Sequence, residues 1–413
     1  MNSPSKSSAA SYQILLLTSC GIAFASYFGS YMRIPVVPLF AGSLGASTAQ
    51  VGAINAAFLL MCGALSFPLG LLSDRWGKKP LVVMGLLISG GTSILLWFSQ
   101  TPLQLIGIYL LFGMGLAAIG PTLMSYVADI SPATHLGRSY GWYTTAIYSG
   151  MSLGPAVGGF LAQWWGFRVM FLIAGAFTLV LVGLTAVLLP EIRRPSQDGS
   201  AIKQRGGATR GIWQNRPLLG CWLVTLGGCF AQGMFLTFAP LHAADCGLSL
   251  AQIGLLFTLQ AVVNALSRLP FGRLSDDRLT GRGALAALGF ILYAASLAGF
   301  GLTRSLAGLL IASLASGVSM GLAFTPLGAL IAETVPPESR GLAMGGYNTC
   351  IYLGMMLSSG LMGGVLEWTG FGLGFSLTAL VAVAAAGVFY WMIKDFAGNP
   401  ARANGHFPVD TKR

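Results

Sequence analysis

The sequence is 413 residues long, 54% hydrophobic and 8% charged, with a formal net charge of +11. A soluble domain of that length cannot hide so much apolar surface behind so few charges, which excludes a soluble enzyme and points to a polytopic membrane protein. Six cysteines (Cys20, Cys62, Cys221, Cys229, Cys246 and Cys350) are scattered without a Cys-x-x-Cys pair, which argues against a disulfide framework or a zinc site.

The chain begins with a short polar tail, residues 1–11. The apolar run after it is too long for a signal-peptide core, so no cleavable signal is expected. Stretches long enough to cross a bilayer, about 20 residues each, follow at 12–40, 48–72, 80–99, 102–127, 137–164, 168–190, 217–241, 249–273, 283–303, 305–332, 340–366 and 370–393. They are numbered spans 1 to 12. Between spans 6 and 7 lies a polar stretch, 191–216, that carries Arg193, Arg194, Lys203, Arg205, Arg210 and Arg216 among Gly and Ser. It reads as a flexible linker joining a bundle at 12–190 to a bundle at 217–393. A second polar tail, 394–413, ends the chain. All but four of the 23 Lys and Arg residues lie in the tails and in the loops after even-numbered spans. The exceptions are Arg33 and Arg268, inside spans, and Arg168 and Arg304, in the opposite loops. The positive-inside rule then places both termini in the cytoplasm, and the net charge reports topology rather than nucleic-acid binding.

The two halves echo one another. Pro38-Leu39 matches Pro240-Leu241, Ala49-Gln50-Val51-Gly52 matches Ala251-Gln252-Ile253-Gly254, and Pro68 matches Pro270, all at an offset of 202 residues. Further on the offset is 204: Pro132 with Pro336, Tyr148 with Tyr352, Gly150 with Gly354, Trp164 with Trp368, and Gly166-Phe167 with Gly370-Phe371. A near-constant offset across this many positions signals duplication. Parallel repeats of six spans put a pseudo-two-fold axis along the membrane normal, with a substrate path between the halves. The expected fold is therefore an all-α membrane protein of twelve transmembrane helices in two pseudo-symmetric six-helix bundles.

The most distinctive stretch joins spans 2 and 3: Gly70-Leu71-Leu72-Ser73-Asp74-Arg75-Trp76-Gly77-Lys78-Lys79. Gly272-Arg273-Leu274-Ser275-Asp276-Asp277-Arg278 repeats its core between spans 8 and 9. Gly70, Asp74, Arg75, Gly77, Lys78 and Lys79, in that order, resemble the loop signature of the major facilitator superfamily. The resemblance runs from Tyr12 to Ile393 and implies a secondary transporter that rocks one bundle against the other. Positive-inside topology alone accounts for the basic residues of this loop, but not for an aspartate at the matching place in each half. Asp74 is therefore read as a latch against the positive N-terminal end of span 11, near Glu338–Arg340, made only when the cytoplasmic side is closed. Gly70, Asp74, Arg75, Gly77, Lys78, Asp276, Arg278 and Arg340 form the expected gating set.

Span 5 carries Gly150, Gly154 and Gly158 at a spacing of four, with Pro155 and Gly159 beside them. Small residues at that spacing let helices pack closely. The same run resembles the span 5 signature of exporters in the superfamily, and its second-half counterpart has Ser358-Ser359 in place of Gly154-Pro155. Export of a small organic compound is expected on that resemblance. Import of an organic anion, and a transporter-shaped sensor or assembly protein that moves no solute, stand as alternatives.

Charges inside the membrane are the sharpest functional flags. Asp129, Glu191, Glu333 and Glu367 all sit at span ends, and no carboxylate falls in mid-membrane. Ser26, Ser30 and Arg33 share one face of span 1, so Arg33 reads either as snorkelling outward or as a cavity residue that meets an anionic group. Arg268, one turn before Gly272, reads as a structural residue. Proton-driven drug exporters of the family carry an acid near the proline of span 1, where Tyr31-Met32-Arg33-Ile34-Pro35 has none. They also carry an arginine four residues before a glycine in span 4, where Tyr109 precedes Gly113. Proton coupling thus lacks its simplest carrier and would fall to Asp129 or Glu333. Phe235 stands where organic-phosphate exchangers would place a second arginine to match Arg33, which argues against that subgroup. Ser30, Asn55, Tyr148, Gln232, Gln260, Asn264, Asn348 and Tyr352 complete the expected substrate path with Arg33. An aromatic, weakly charged cavity suits a small amphipathic molecule rather than a metal ion. No cofactor, metal or nucleic acid is expected, no phosphate-binding glycine loop is present for an ATP-driven pump, and the partners are the substrate, membrane lipid and a coupling ion. A monomer is expected.

Overall fold

The computed structural model describes residues 6–191, 214–276, 281–336 and 339–397. Most of the 191–216 linker, Asp277, Arg278, Glu338 and the last part of the C-terminal tail lie outside them. So do the side chains of Asp74 and Asp276. Every regular element among the described residues is helical, and ten helices are long and apolar enough to cross a membrane.

Two of the ten are far too long for one crossing. Leu136–Leu188 holds 53 residues and Arg340–Ala397 holds 58. At about 1.5 Å per residue each would run roughly 80 Å, against ~30 Å of hydrocarbon. Each is interrupted where the duplicated Gly-Phe pair stands, at Gly166 (φ 81°) and Gly370 (φ 70°). A positive φ is open to glycine without steric cost, so the chain breaks there and starts a second span. Twelve spans result, six in each bundle. Span 1 is itself broken: Lys6–Arg33 ends at the Ile34-Pro35 turn and resumes as Val36–Ser43.

Span 2 (Thr48–Trp76) and span 8 (Leu250–Asp276) begin alike. Ser47 and Gln50 exchange reciprocal side-chain and backbone bonds, and Ser249 and Gln252 repeat the arrangement. The Ser-x-x-Gln spacing is a capping box that satisfies two backbone donors at a helix start.

Each bundle has its own apolar core. Phe40, Phe58, Phe112 and Phe171 pack in the first, and Phe235, Phe257, Phe300 and Phe375 in the second. Outside, large apolar side chains face outward, as a lipid-facing surface requires. Trp164 and Trp368, related by the repeat, are 67% and 91% exposed at the ends of spans 5 and 11, the depth at which tryptophan anchors to a membrane surface.

The loop after span 2 sits on one face of the molecule, hereafter the basic face. There Lys78 at the start of span 3 pairs with Asp129 at the end of span 4, and Arg282 at the start of span 9 pairs with Glu333 at the end of span 10. Both positions in each pair differ by 204 residues, so the duplication carried an ion pair with it. Gly77 (φ 96°) lets the chain turn tightly between spans 2 and 3, with the Glu191 carboxylate packed against it.

Candidate functional site

The two bundles touch along two seams, span 2 with span 11 and span 5 with span 8, at the face opposite the basic one. Glycine makes both possible. A Cβ on Gly52 would lie 2.1 Å from the Ser359 carbonyl oxygen, and one on Gly254 would lie 2.3 Å from that of Pro155. A Cβ on Gly363 would lie 2.6 Å from the Thr48 carbonyl, and one on Gly159 would lie 2.4 Å from that of Leu250. Each of these partners is the repeat equivalent of the other. Only a residue without a side chain permits backbones this close.

Polar contacts fasten the seams. The first turn of a helix leaves backbone donors without intrahelical acceptors. In span 2 the Ala49 N–H donates to Glu367 Oε1 of span 11 at 3.3 Å, and in span 8 the Ala251 N–H donates to Gln163 Oε1 of span 5 at 3.0 Å. Thr48 Oγ1 adds a bond to the Gly363 carbonyl at 2.8 Å. In the other seam the Thr258 hydroxyl donates to the Ser152 carbonyl at 2.7 Å and accepts the Ala156 N–H at 3.1 Å. Those two backbone groups would bond each other in an unbroken helix. Pro155 disturbs the ladder at that turn, and a hydroxyl from the opposite bundle fills the gap.

Towards the basic face spans 5 and 8 part, leaving a cavity of about 700 Å³. Span 5 lines it with hydroxyls (Thr144, Thr145, Ser149 and Ser152) and with Tyr148, and span 8 adds Leu266, Arg268 and Leu269. The Arg268 guanidinium lies over the Tyr148 ring, 4.6 Å from its centre, and its Nε donates to Asn264 Oδ1 at 3.3 Å. The cation–π contact therefore bridges the two bundles at the cavity wall.

Several expected path residues lie elsewhere. Arg33 is 1% exposed inside the first bundle, where its Nη1 donates to Thr92 Oγ1 at 3.1 Å and its guanidinium covers the Phe112 ring. Ser26 and Ser30 are buried on the same stripe. Arg33 itself faces Thr92 of span 3 and Phe112 of span 4 rather than the cavity or the membrane surface, which corrects both readings of it. Gln232 accepts a bond from the Tyr293 hydroxyl at 2.5 Å, and Gln260 Nε2 donates to Met320 Sδ at 2.9 Å, so both are tied up inside the second bundle. Asn55 is buried on span 2 and Asn348 is exposed on span 11. Tyr352 packs on Gly63 of span 2, across the halves. Of the expected set, Tyr148 lines the cavity and Asn264, buried beside it, holds Arg268, which reads from sequence as a structural residue.

The span 5 signature divides its labour. Gly150, Gly154 and Gly158 pack on the backbone of span 1, while Pro155 and Gly159 face span 8. In the gating set, a Cβ on Gly70 would meet nothing within 4 Å, Arg75 is exposed, and Gly77 and Lys78 are packed as described above. Arg340 Nε donates to the Ala332 carbonyl of its own bundle at 3.1 Å. The Asp74 and Asp276 side chains, Arg278 and Glu338 fall outside the described residues. Two devices escaped the sequence reading: the Gln163 and Glu367 caps, whose repeat positions differ in residue type, and the inserted Thr258 hydroxyl. Among the described residues no group of His, Cys, Asp and Glu could hold a metal.

Two repeated halves that meet along two seams, with spans 5 and 8 parting towards the basic face, fit one family model. The model described as Major Facilitator Superfamily matches residues 19–249 and again residues 221–409. The chain belongs to the major facilitator superfamily. It is 24% identical to an uncharacterized MFS-type transporter of Methanocaldococcus jannaschii over 375 residues, covering 90% of this chain and 96% of that one. It is 29% identical to multidrug resistance protein 1 of Bacillus subtilis over 256 residues, which is 62% of this chain and 64% of the relative. A bacterial homolog of the human lysosomal transporter Spinster, solved in an inward-facing and unoccupied conformation, shares the fold with a TM-score of 0.79 at 16% identity, covering 95% of this chain and 98% of that one. The protein is thus an integral multi-pass transporter and not an enzyme.

Proposed function

We propose that the protein exports a small amphipathic organic compound by alternating access. The observation that carries this reading is the cavity: set towards the basic face, lined by hydroxyls, aromatic rings and leucines, and shut behind by the span 5–span 8 seam. The positive-inside rule assigns the basic face to the cytoplasm, so the geometry is that of an inward-facing carrier ready to load from inside. Pro155 and the Gly150–Gly159 run support the exporter branch, as does similarity to a relative named for multidrug resistance. On this reading 12–190 and 217–393 are the moving bodies and 191–216 tethers them. Both termini are cytoplasmic, the membrane is the bacterial inner membrane, and each monomer holds a complete path. Asp129 and Glu333 are held in ion pairs away from the cavity wall, so they would carry a coupling proton only at the expense of those pairs.

The test is transport in proteoliposomes of known orientation, with an imposed pH gradient and a panel of amphipathic anions, neutrals and cations. Movement from the basic face to the opposite face is expected. Movement only in the reverse direction would overturn export, and absence of transport across the panel would favour a sensor.

A further inference from the structure

We propose that Arg268 is the substrate's charge contact, and that the substrate is an amphipathic organic anion with a carboxylate or similarly planar anionic group. The inference rests on the transporter reading above but is independent of the direction of transport. Arg268 is the only charged residue among the described residues that line the cavity. Among the described residues its hydrogen bond uses Nε alone, to Asn264, and no carboxylate pairs with it. A guanidinium offers further donors in a planar fork that matches a carboxylate. Around it the cavity supplies the rest of an amphiphile's needs: Leu153, Leu266 and Leu269 for an apolar body, and Thr145 and Ser149 for polar substituents. The other intramembrane arginine, Arg33, is already buried against Thr92 and Phe112 and is not available to a solute.

The placement also couples binding to movement. Arg268 lies on span 8 and Tyr148 on span 5, so the charge sits where the two bundles must close on one another. Closing on a bare cation would strip its water without supplying a counter-charge, which is costly. An anion bound on Arg268 neutralises the charge first, so the loaded carrier closes towards the basic face more readily than the empty one. A ligand shifts such an equilibrium only through its different affinity for the two states, and the guanidinium provides that difference.

The experiment is equilibrium binding to purified protein in nanodiscs, using 2-naphthylacetate, 2-naphthylacetamide and 2-naphthylethylamine as a charge series on one apolar body. The carboxylate is expected to bind at least tenfold more tightly than the amide, and the amine more weakly than either. Arg268→Gln is expected to bring the ratio of carboxylate to amide affinity close to one. Arg268→Lys should retain part of that preference. Because the wild-type series stands alone, the inference remains open to refutation even where a variant does not fold. Preference for the amine or amide, equal binding of all three, no binding of the carboxylate, or an unchanged preference in Arg268→Gln would each overturn it. Failure of export with the carboxylate preference intact would overturn the direction of transport and leave this inference standing.

Discussion

The two seams share a backbone and differ in their fastenings. In both, a glycine on one helix rests on a carbonyl of the helix from the other half: Gly52 on Ser359, and Gly254 on Pro155. In both, the first turn of a helix is capped by a side chain from across the seam. Yet the span 2–span 11 seam is capped by a carboxylate, Glu367, and the span 5–span 8 seam by an amide, Gln163. The second seam also contains a proline break filled by Thr258. At the position matching Pro155, Ser359 instead bonds Thr237 within its own bundle, 2.8 Å away. Duplication preserved the close approach, which depends on backbone shape alone, while the polar fastenings diverged. One seam is fixed by charge and the other by a hydroxyl inserted into a broken helix.

The largest effect should come from removing the close approach. Gly52→Val or Gly254→Val places atoms within the opposite backbone only when the seam is shut. A clash of about 1–3 kcal/mol should shift the population towards opening at that face by roughly 5- to 150-fold, with transport falling in step. Gly158→Val is the contrasting case. It meets the Met32 carbonyl inside one bundle, where a Cβ would lie 1.9 Å away, so it should lower thermal stability without favouring either state. Thermal melts together with cysteine accessibility at each face separate the two outcomes.

Thr258→Val should remove contacts from one seam only. It leaves the Ser152 carbonyl and the Ala156 N–H without their partner at the proline break, a cost of about 1–3 kcal/mol. Because the bundles rock as bodies, accessibility should rise along spans 5 and 8 and, with them, at spans 2 and 11, by less than for Gly254→Val. The smallest effect concerns the caps. Glu367→Ala should open its seam more than Gln163→Ala opens the other, because an anion at a helix N-terminus contributes roughly 0.3–1 kcal/mol beyond a neutral bond. Glu367→Gln should make the two caps alike, and equal accessibility changes at the two seams on subsequent removal of either cap would confirm it.

Much of this architecture was legible in residue order. Span length, the basic loops and the two offsets predicted twelve spans in two bundles; that the repeated Gly-Phe pair breaks both long helices is seen in the structure. The orientation of single polar residues was not. Spans 1 and 8 are apolar on most sides, so periodicity cannot say whether Arg33 or Arg268 faces the cavity; that depends on which helices pack against each face. Span 1 turns Arg33 towards Thr92 and Phe112, while span 8 diverges from span 5 just where Arg268 stands. The absence of a proline in the second half was visible, but not that a threonine 102 residues further along would fill the gap left by the first. The caps escaped because identity matching passes over a Gln and a Glu at equivalent positions.

The central claim is that the seams and the cavity are the two alternately closing ends of one path. It is tested most directly by distances at both ends of the same molecule. One pair of spin labels at Gln50 and Trp368 reports the seam, and another at Thr145 and Leu269 reports the cavity, each in a background with the native cysteines replaced. Introducing Gly254→Val should lengthen the first distance and shorten the second. Lengthening of the first with no change in the second, or no change in either, would contradict the account.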